Sequence, residues 1–128
     1  MLNIRLIKLL VSDYDEAIDY YTNSLGMLLT ENIENKDGSR WVTLSTSKDT
    51  VPMISLAKAT SEADLAAVGK QAGDHVYLIL QTDNFERDHT AYKANGVEFL
   101  EEPRHEQYGT VAIFKDIYGN KWGLIEPK

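Results

Sequence analysis

The chain has 128 residues, with 13 Lys and Arg against 20 Asp and Glu, and a formal net charge of −7. That length suits one domain with a substantial core, and the acidic balance without a basic stripe excludes a nucleic-acid partner. Cysteine is absent, which excludes disulfides, thiolate metal sites and cysteine nucleophiles.

The N-terminal segment is predicted to be a mostly buried strand over residues 4–11, because branched apolar residues dominate it. Arg5 and Lys8 interrupt the apolar run and it lacks a small-residue cleavage site, so we do not expect a signal peptide. Nothing in the sequence approaches the apolar length of a membrane span. We therefore expect a cytoplasmic protein with no membrane partner.

The remainder of the first half predicts one helix and three strands. Asp13 occupies an N-cap position with Glu16 three residues later, which is the capping-box pattern, and Gly26 is suited to end the helix. Apolar content, period-two alternation and a hairpin turn signal at 36–39 predict the strands. They cover residues 27–33, 41–45 and 51–57.

The second half begins after a polar, alanine-rich segment, residues 58–74, which we expect to be a linker with one short helix. A helix is then predicted to begin at Asp83 and to end at Gly96. Residues 101–107 are expected to form a charged loop, and residues 116–120 the last turn. The predicted strands cover residues 75–81, 97–100, 110–114 and 121–125.

The two halves repeat one pattern. Asp13 and Gly26 bound the first predicted helix, and Asp83 and Gly96 bound the second, so both landmarks recur 70 residues further along the chain. A period this long is not that of a solenoid. The sequence therefore indicates a duplicated βαβββ unit inside one domain. Its predicted parts are module one at 1–57, the linker at 58–74 and module two at 75–128, which together make the single domain 1–128.

Three segments give the modules a family resemblance. They are Tyr-Tyr-Thr-Asn-Ser-Leu-Gly-Met at 20–27, Tyr-Lys-Ala-Asn-Gly-Val at 92–97 and Phe-Lys-Asp-Ile-Tyr-Gly-Asn-Lys-Trp-Gly-Leu-Ile-Glu at 114–126. Over nearly its whole length the chain resembles the vicinal oxygen chelate superfamily, which includes glyoxalase I, bleomycin and fosfomycin resistance proteins and extradiol dioxygenases. The resemblance implies an α+β fold of two tandem βαβββ modules. Each module would form a half-open curled sheet, a cup for a ligand, completed by dimerisation to a homodimer.

In that superfamily, four inward strand positions decide whether a metal binds, and metal-dependent members place mainly His, Glu or Gln there. The corresponding positions here are Leu6, Ser55, His75 or Tyr77, and Gly123. A divalent ion needs several converging nitrogen and oxygen donors, which this set lacks, and Glu126 should point to the opposite face. We therefore expect no cofactor and no metal. A divalent metal recruited by His75 and another carboxylate is the alternative.

Six residues are candidate ligand contacts: Lys8, Trp41, Ser55, His75, Tyr77 and Tyr108. Trp41 shares a predicted strand face with Thr43 and Ser45. It could be a stacking wall for a planar ligand or a partly buried aromatic at a strand end. Lys8 would attract an anionic ligand, or lie at a sheet edge with its ammonium in water. Trp122 is instead expected to pack beneath a helix.

The resemblance and these residues favour a homodimeric, metal-free protein that binds a small organic molecule in its cup. It would sequester that molecule, as bleomycin resistance proteins do, or act on it in a small-molecule step that the sequence does not define. The first alternative is a metal-dependent, glyoxalase-like lyase or isomerase. The second is a protein interaction module whose cup is filled by side chains. Neither nucleic acid nor a membrane is an expected partner.

Overall fold

The fold is built on two open, mixed β-sheets, one in each half of the chain. It is described by a computed structural model of residues 1–128. The sheets belong to two units, Met1–Val68 (unit 1) and Gly69–Lys128 (unit 2), whose boundary falls in the predicted linker. The predicted α+β class with two curled, unclosed sheets is confirmed. None of the helices has the length and apolar character needed to cross a membrane.

Unit 1 follows the predicted order of one strand, one helix and three strands. Its elements are β1 (Leu6–Val11), α1 (Tyr14–Asp19), a π-helical segment (Tyr20–Ser24), β2 (Leu28–Glu34), β3 (Arg40–Ser45), β4 (Met53–Lys58) and α2 (Glu62–Ala67). The sheet order is β1-β4-β3-β2, with β1 parallel to β4 and the other pairs antiparallel. The short helix predicted in the linker is α2.

The first helix begins and ends as its sequence predicts but widens in its second half. The Asp13 carboxylate accepts a hydrogen bond from the Glu16 N–H at 2.8 Å, and Gly26 has a φ of 74° at the other end. In between, the Leu25 N–H donates to the Tyr20 carbonyl at 3.2 Å, which is the i to i−5 bond of a π-helix. Two adjacent side chains, Tyr20 and Tyr21, are consequently both buried.

One face of the unit 1 sheet is apolar and forms the core. Strand alternation places every second side chain there, and the register of the four strands aligns those positions. The buried side chains of this face are Leu9, Val11, Val42, Leu44, Ile54 and Leu56. Each such burial stabilises the fold by roughly 1.5–3 kcal/mol, so the opposite face can hold polar groups.

Unit 2 has one strand more than the predicted module. Its elements are β5 (Val76–Gln81), α3 (Phe85–Ala94), β6 (Glu98–Phe99), β7 (Arg104–Glu106), β8 (Gly109–Lys115) and β9 (Lys121–Pro127). The sheet order is β5-β9-β8-β6, and β7 also pairs with β8. As in unit 1, the first and last strands of the unit are parallel and the remaining pairs are antiparallel.

The extra strand, β7, lies in the segment predicted to be a charged loop. Opposite charges pair within it: Arg104 forms ion pairs with Glu101 at 2.8 Å and with Glu106 at 3.0 Å. Glu101 also accepts a hydrogen bond from the Ile113 N–H of β8 at 2.9 Å. Part of the predicted charged loop is therefore a strand. The charges of Arg104, Glu101 and Glu106 pair with one another, and the Glu101 bond attaches the segment to β8.

The cap of α3 also differs by one residue from the prediction. Asn84, not Asp83, is the N-cap, and its side-chain oxygen accepts from the Arg87 N–H at 3.0 Å. Asp83 instead forms an ion pair with the Arg87 guanidinium at 2.9 Å. The Phe85 N–H donates to a Glu126 carboxylate oxygen at 2.7 Å, so β9 fixes where the helix starts.

The turn before β9 is organised by one buried carboxylate. Asp116 accepts hydrogen bonds from the N–H groups of Tyr118 (3.0 Å) and Asn120 (2.9 Å), and from the Asn120 side-chain amide (3.0 Å). It also accepts from the Trp122 indole Nε1 at 3.0 Å. Trp122 is 0 % exposed and stacks on Phe114 with ring centroids 6.2 Å apart. The prediction that Trp122 is structural agrees with this packing.

His89 on α3 lies between two aromatic rings. Its ring stacks on Phe85 at 5.2 Å and contacts Phe99 at 4.3 Å between centroids. Burial lowers the pKa of His89 below its ordinary value; the positive charge of Lys93 lowers it further, and Glu102 opposes the shift. The imidazole is therefore held in its neutral form as part of the packing of α3.

Replacing this imidazole should change how stability depends on pH. Because the folded-state pKa of His89 is lowered, the unfolded chain takes up this proton first as the pH falls. The stabilising contribution is therefore fully present above about pH 6.5 and is lost on acidification below that. We expect the melting temperature of His89→Phe to fall less than that of the parent protein between about pH 7.5 and about pH 5.5. Equal slopes in differential scanning calorimetry would contradict this role.

Substitution of two glycines can test how closely the backbone at Gly69 approaches the backbone at Tyr118. Gly69 and Gly73 both have positive φ, but only at Gly69 would an added Cβ collide, 1.9 Å from the Tyr118 carbonyl oxygen. Gly73→Ala should cost roughly 1–2 kcal/mol, the strain of alanine in that conformation. Gly69→Ala should cost clearly more in urea unfolding, since backbone must also move. Equal losses would show that the clash relaxes without cost.

Candidate ligand-binding site

Four polar side chains form a row across the face of the unit 1 sheet opposite its core. The register pairs Lys8 with Ser55, Ser55 with Thr43, and Thr43 with Glu31, so each of the four strands contributes one residue. We call this row, together with Trp41, the polar face. Thr43 and Ser55 are both 0 % exposed, so their hydroxyl groups need internal hydrogen-bond partners.

Lys8 brings a positive charge onto the polar face. Its ammonium donates a hydrogen bond to the Ser55 hydroxyl at 3.0 Å and lies 5.2 Å from the centre of the Trp41 ring. An ammonium at that distance over an indole is attracted by the negative ring face. Three of the predicted ligand contacts, Lys8, Trp41 and Ser55, are therefore brought together in unit 1.

The far end of the row depends on a β-bulge that sequence reasoning missed. The register of β2 against β3 shifts between Leu29 and Glu31, so Thr30 and Glu31 both contact Thr43. The Thr30 and Thr43 hydroxyl groups are 2.6 Å apart, and the Thr43 hydroxyl donates to a Glu31 carboxylate oxygen at 3.2 Å. The face on which Thr43 lies could be predicted from the alternation of polar and apolar residues along β3. The bulge in β2 leaves no comparable signal in the sequence.

A cleft of about 480 Å³ adjoins this end of the polar face. That volume is typical of small-molecule sites. The cleft shares Glu31 with the polar face, and it is also lined by Thr30 of the bulge and by Met53, two residues before Ser55 on β4. Its lining consists of Arg5, Thr30, Glu31, Ser45, Asp49, Thr50, Val51 and Met53. None of these was singled out as a ligand contact from the sequence.

The three candidates in unit 2 do not form a comparable group. His75 is exposed immediately before β5, whose first residue pairs with Lys121 at the start of β9. Tyr108 is 55 % exposed at the other end of β9, where its carbonyl accepts from the Lys128 N–H at 3.1 Å. About 20 Å of strand separates those two ends of β9, so His75 and Tyr108 are not brought together.

Tyr77 contacts the buried Trp122 of its own sheet. The register of β5 against β9 shifts between Val76 and Leu78, and the Tyr77 ring meets Trp122 edge-on with centroids 6.2 Å apart. Burial raises the pKa of the Tyr77 phenol. Because this irregularity interrupts the alternation of β5, the two-residue spacing from His75 does not fix the face on which Tyr77 lies.

Three of the four family metal positions, Leu6, Ser55 and Gly123, lack a side chain suited to a metal. Leu6 has no donor atom, and the Ser55 hydroxyl is bound to an ammonium that would repel a divalent cation. At Gly123 an added Cβ would lie 3.3 Å from the Ile79 side chain, so the surroundings there are apolar. No group of three or more His, Asp or Glu side chains in residues 1–128 is arranged to hold a metal ion.

A comparison with protein-family models assigns the chain to a family. A model of the Glyoxalase/Bleomycin resistance protein/Dioxygenase superfamily matches residues 3–124. The chain belongs to this superfamily. The resemblance inferred from the three sequence segments is thereby confirmed.

The chain is also similar to one protein sequence and to two solved structures. An uncharacterized protein of Shewanella frigidimarina (strain NCIMB 400) is 40% identical over 121 residues, which cover 94% of this chain and 90% of the relative. The crystal structure of UcmS2 has a TM-score of 0.85 at 23% identity, with 98% of each chain covered, and shows the same fold. TnmS3, an antibiotic binding protein from Streptomyces sp. CB03234, has a TM-score of 0.80 at 25% identity, covering 100% of this chain and 98% of its own.

The contact between Lys8 and Trp41 can be measured by a double-mutant cycle. Lys8→Met keeps the aliphatic stem and removes the ammonium, and Trp41→Leu removes the ring. We expect a coupling free energy of about 0.5–1 kcal/mol in urea unfolding, the usual size of a partly exposed cation–π contact. A matched cycle with Lys48→Met, an exposed loop lysine, should give no coupling. Equal coupling in both cycles would contradict the contact.

Proposed function

We propose that this protein binds a small, planar, anionic organic molecule on the polar face of unit 1 and acts by sequestering it without a metal. The observation behind the proposal is the position of the Lys8 ammonium, bonded to Ser55 and placed over Trp41. A ring beside Trp41 with an acidic oxygen at Lys8 would use both groups at once. Stacking would contribute affinity, and the charge would fix the orientation.

The chemistry around Ser55 supports binding without a metal. In metal-dependent members of the superfamily the corresponding position supplies a donor to the ion, whereas here the hydroxyl accepts from an ammonium. A positive charge 3.0 Å from that oxygen occupies the role that a cation would otherwise have. The site can therefore attract an anion directly, with the charge on a protein side chain instead of a metal.

Relatives and cavity size support a small-molecule ligand over a protein partner. TnmS3 is described as an antibiotic binding protein and has the same fold over the whole length of this chain. The cleft of about 480 Å³ beside the polar face leaves room for a ligand that extends beyond Trp41. A sequestering role needs no catalytic group.

A pair of isosteric probes tests the proposal. 2-Naphthoate and 2-naphthamide have the same ring and similar shape but differ in charge, and their binding can be followed by isothermal titration calorimetry after treatment of the protein with a chelator. We expect the carboxylate to bind about tenfold tighter than the amide, a difference of about 1.4 kcal/mol. Lys8→Gln should abolish that preference, and Trp41→Leu should weaken both probes.

The control is Lys48→Gln, which removes an equal charge from an exposed loop outside the polar face. Its binding should match that of the parent protein. Equal affinity for acid and amide would refute the anion preference. Binding that disappears with the chelator and returns with Zn²⁺, Ni²⁺ or Mn²⁺ would instead identify a metal-dependent, glyoxalase-like enzyme.

A further inference from the structure

The cleft beside the polar face has ionic groups of both signs in its wall. Arg5 precedes β1 and Asp49 lies in the loop between β3 and β4, and both line the cleft together with Glu31. The ion pairs of the chain join other residues, so Arg5 and Asp49 are not salt-bridged to each other. A guanidinium and a carboxylate that face one cavity without pairing are suited to a ligand with the complementary pair of charges.

The hydroxyl groups of the same cleft are used inside the protein. Ser45 donates to the Ser47 carbonyl at 2.7 Å, and the Thr50 hydroxyl bonds with the Ser47 hydroxyl. Thr30 bonds with Thr43 at 2.6 Å. Recognition in this cleft therefore depends on the charges of Arg5, Asp49 and Glu31, while Met53 and Val51 supply apolar surface between them.

We propose that this cleft binds the zwitterionic head group of an amino-acid-like ligand, with its carboxylate at Arg5 and its ammonium at Asp49 and Glu31. The proposal rests on the function proposed above, since it names the second half of a ligand whose ring lies at Trp41. Arg5 can bind a carboxylate through two parallel N–H bonds. The ligand ammonium would face two carboxylates, Asp49 and Glu31, whereas the ligand carboxylate would face only Arg5. The attraction is therefore stronger at the ammonium end of the ligand.

The distance between the two halves defines the shape of the ligand. Trp41 and Ser45 are four residues apart on one strand and share a face, so the ring position and the cleft are separated by up to about 13 Å. A ring attached directly to an α-carbon is too short for that distance. A flexible chain of several atoms between ring and head group is required, as in an amino acid acylated or sulfonylated on a long side chain.

Four fluorescent probes with the same ring and chain test the proposal. They are Nε-dansyl-L-lysine, its methyl ester, its Nα-acetyl derivative and N-butyl dansylamide, with zwitterionic, cationic, anionic and absent head groups respectively. Binding is measured by the increase in dansyl emission on titration with the full-length protein. We expect the zwitterion to bind about tenfold tighter than either singly charged probe, and the headless probe to bind most weakly.

Two substitutions assign the charges. Arg5→Gln should equalise the zwitterion and the methyl ester, because the carboxylate loses its partner. Asp49→Asn should reduce the preference for the zwitterion over the Nα-acetyl probe, because only Glu31 remains for the ammonium. Asparagine suits this position because Asp49 has a φ of 57°, a conformation that asparagine tolerates. Lys70→Gln and Asp74→Asn remove the same charges from exposed positions outside the cleft and should leave all four affinities unchanged.

The outcomes separate this inference from the proposed function. Equal affinity for all four probes, with binding lost in Trp41→Leu, would overturn the zwitterion site and leave the ring site standing. No emission change with any probe would overturn the inference, while binding of 2-naphthoate would still decide the proposed function. A preference for the zwitterion that is undiminished in both Arg5→Gln and Asp49→Asn would place the head group elsewhere and so would also overturn the inference.

Discussion

The parallel pairing of β1 with β4 is the constraint on which the candidate site depends. It sets Lys8 directly opposite Ser55, and β3 then sets Thr43 opposite Ser55 on the other side. A slip of one residue in β1 would move Lys8 to the core face and expose Leu9 in its place. Because burial of Leu9 and Val11 fixes the register, the core of unit 1 also determines where the positive charge of the site lies.

The sequence was sufficient to predict the face of each side chain wherever polar and apolar residues of a strand alternate without interruption. Trp41, Thr43 and Ser45 against Val42 and Leu44, and Trp122 with Leu124, could all be assigned to faces by counting. Counting failed where a β-bulge adds a residue, at Thr30 and at Tyr77, because a bulge is decided by pairing with another strand. It also failed at β7 and at Asn84, where ion pairs of Arg104 and the carboxylate of Glu126 decide the local structure. The cleft beside the polar face could not be predicted, because its residues come from three separate segments of the chain.

Electrostatics links the absent metal donors to the choice of ligand. A polar pocket built around a divalent ion needs several carboxylates or imidazoles to offset the ion's charge. Here one ammonium, held by Ser55 and the Trp41 ring, supplies a single positive charge at fixed position. Under the proposed function, such a site favours a ligand whose charge is already present in solution over one that a metal must activate.

The π-helical segment Tyr20–Ser24 bears on how the two halves of the chain correspond. The two helices end at glycines that are 70 residues apart, Gly26 and Gly96, but their N-caps, Asp13 and Asn84, are 71 residues apart. The first helix therefore has one residue more between its cap and its glycine, and the wider π turn accommodates that residue. Counted from the caps, the fully buried Tyr21 corresponds to the half-buried Tyr92, whereas Ala91, 70 positions after Tyr21, is exposed. Equivalent positions in the two copies are therefore defined by geometry and not by one constant spacing.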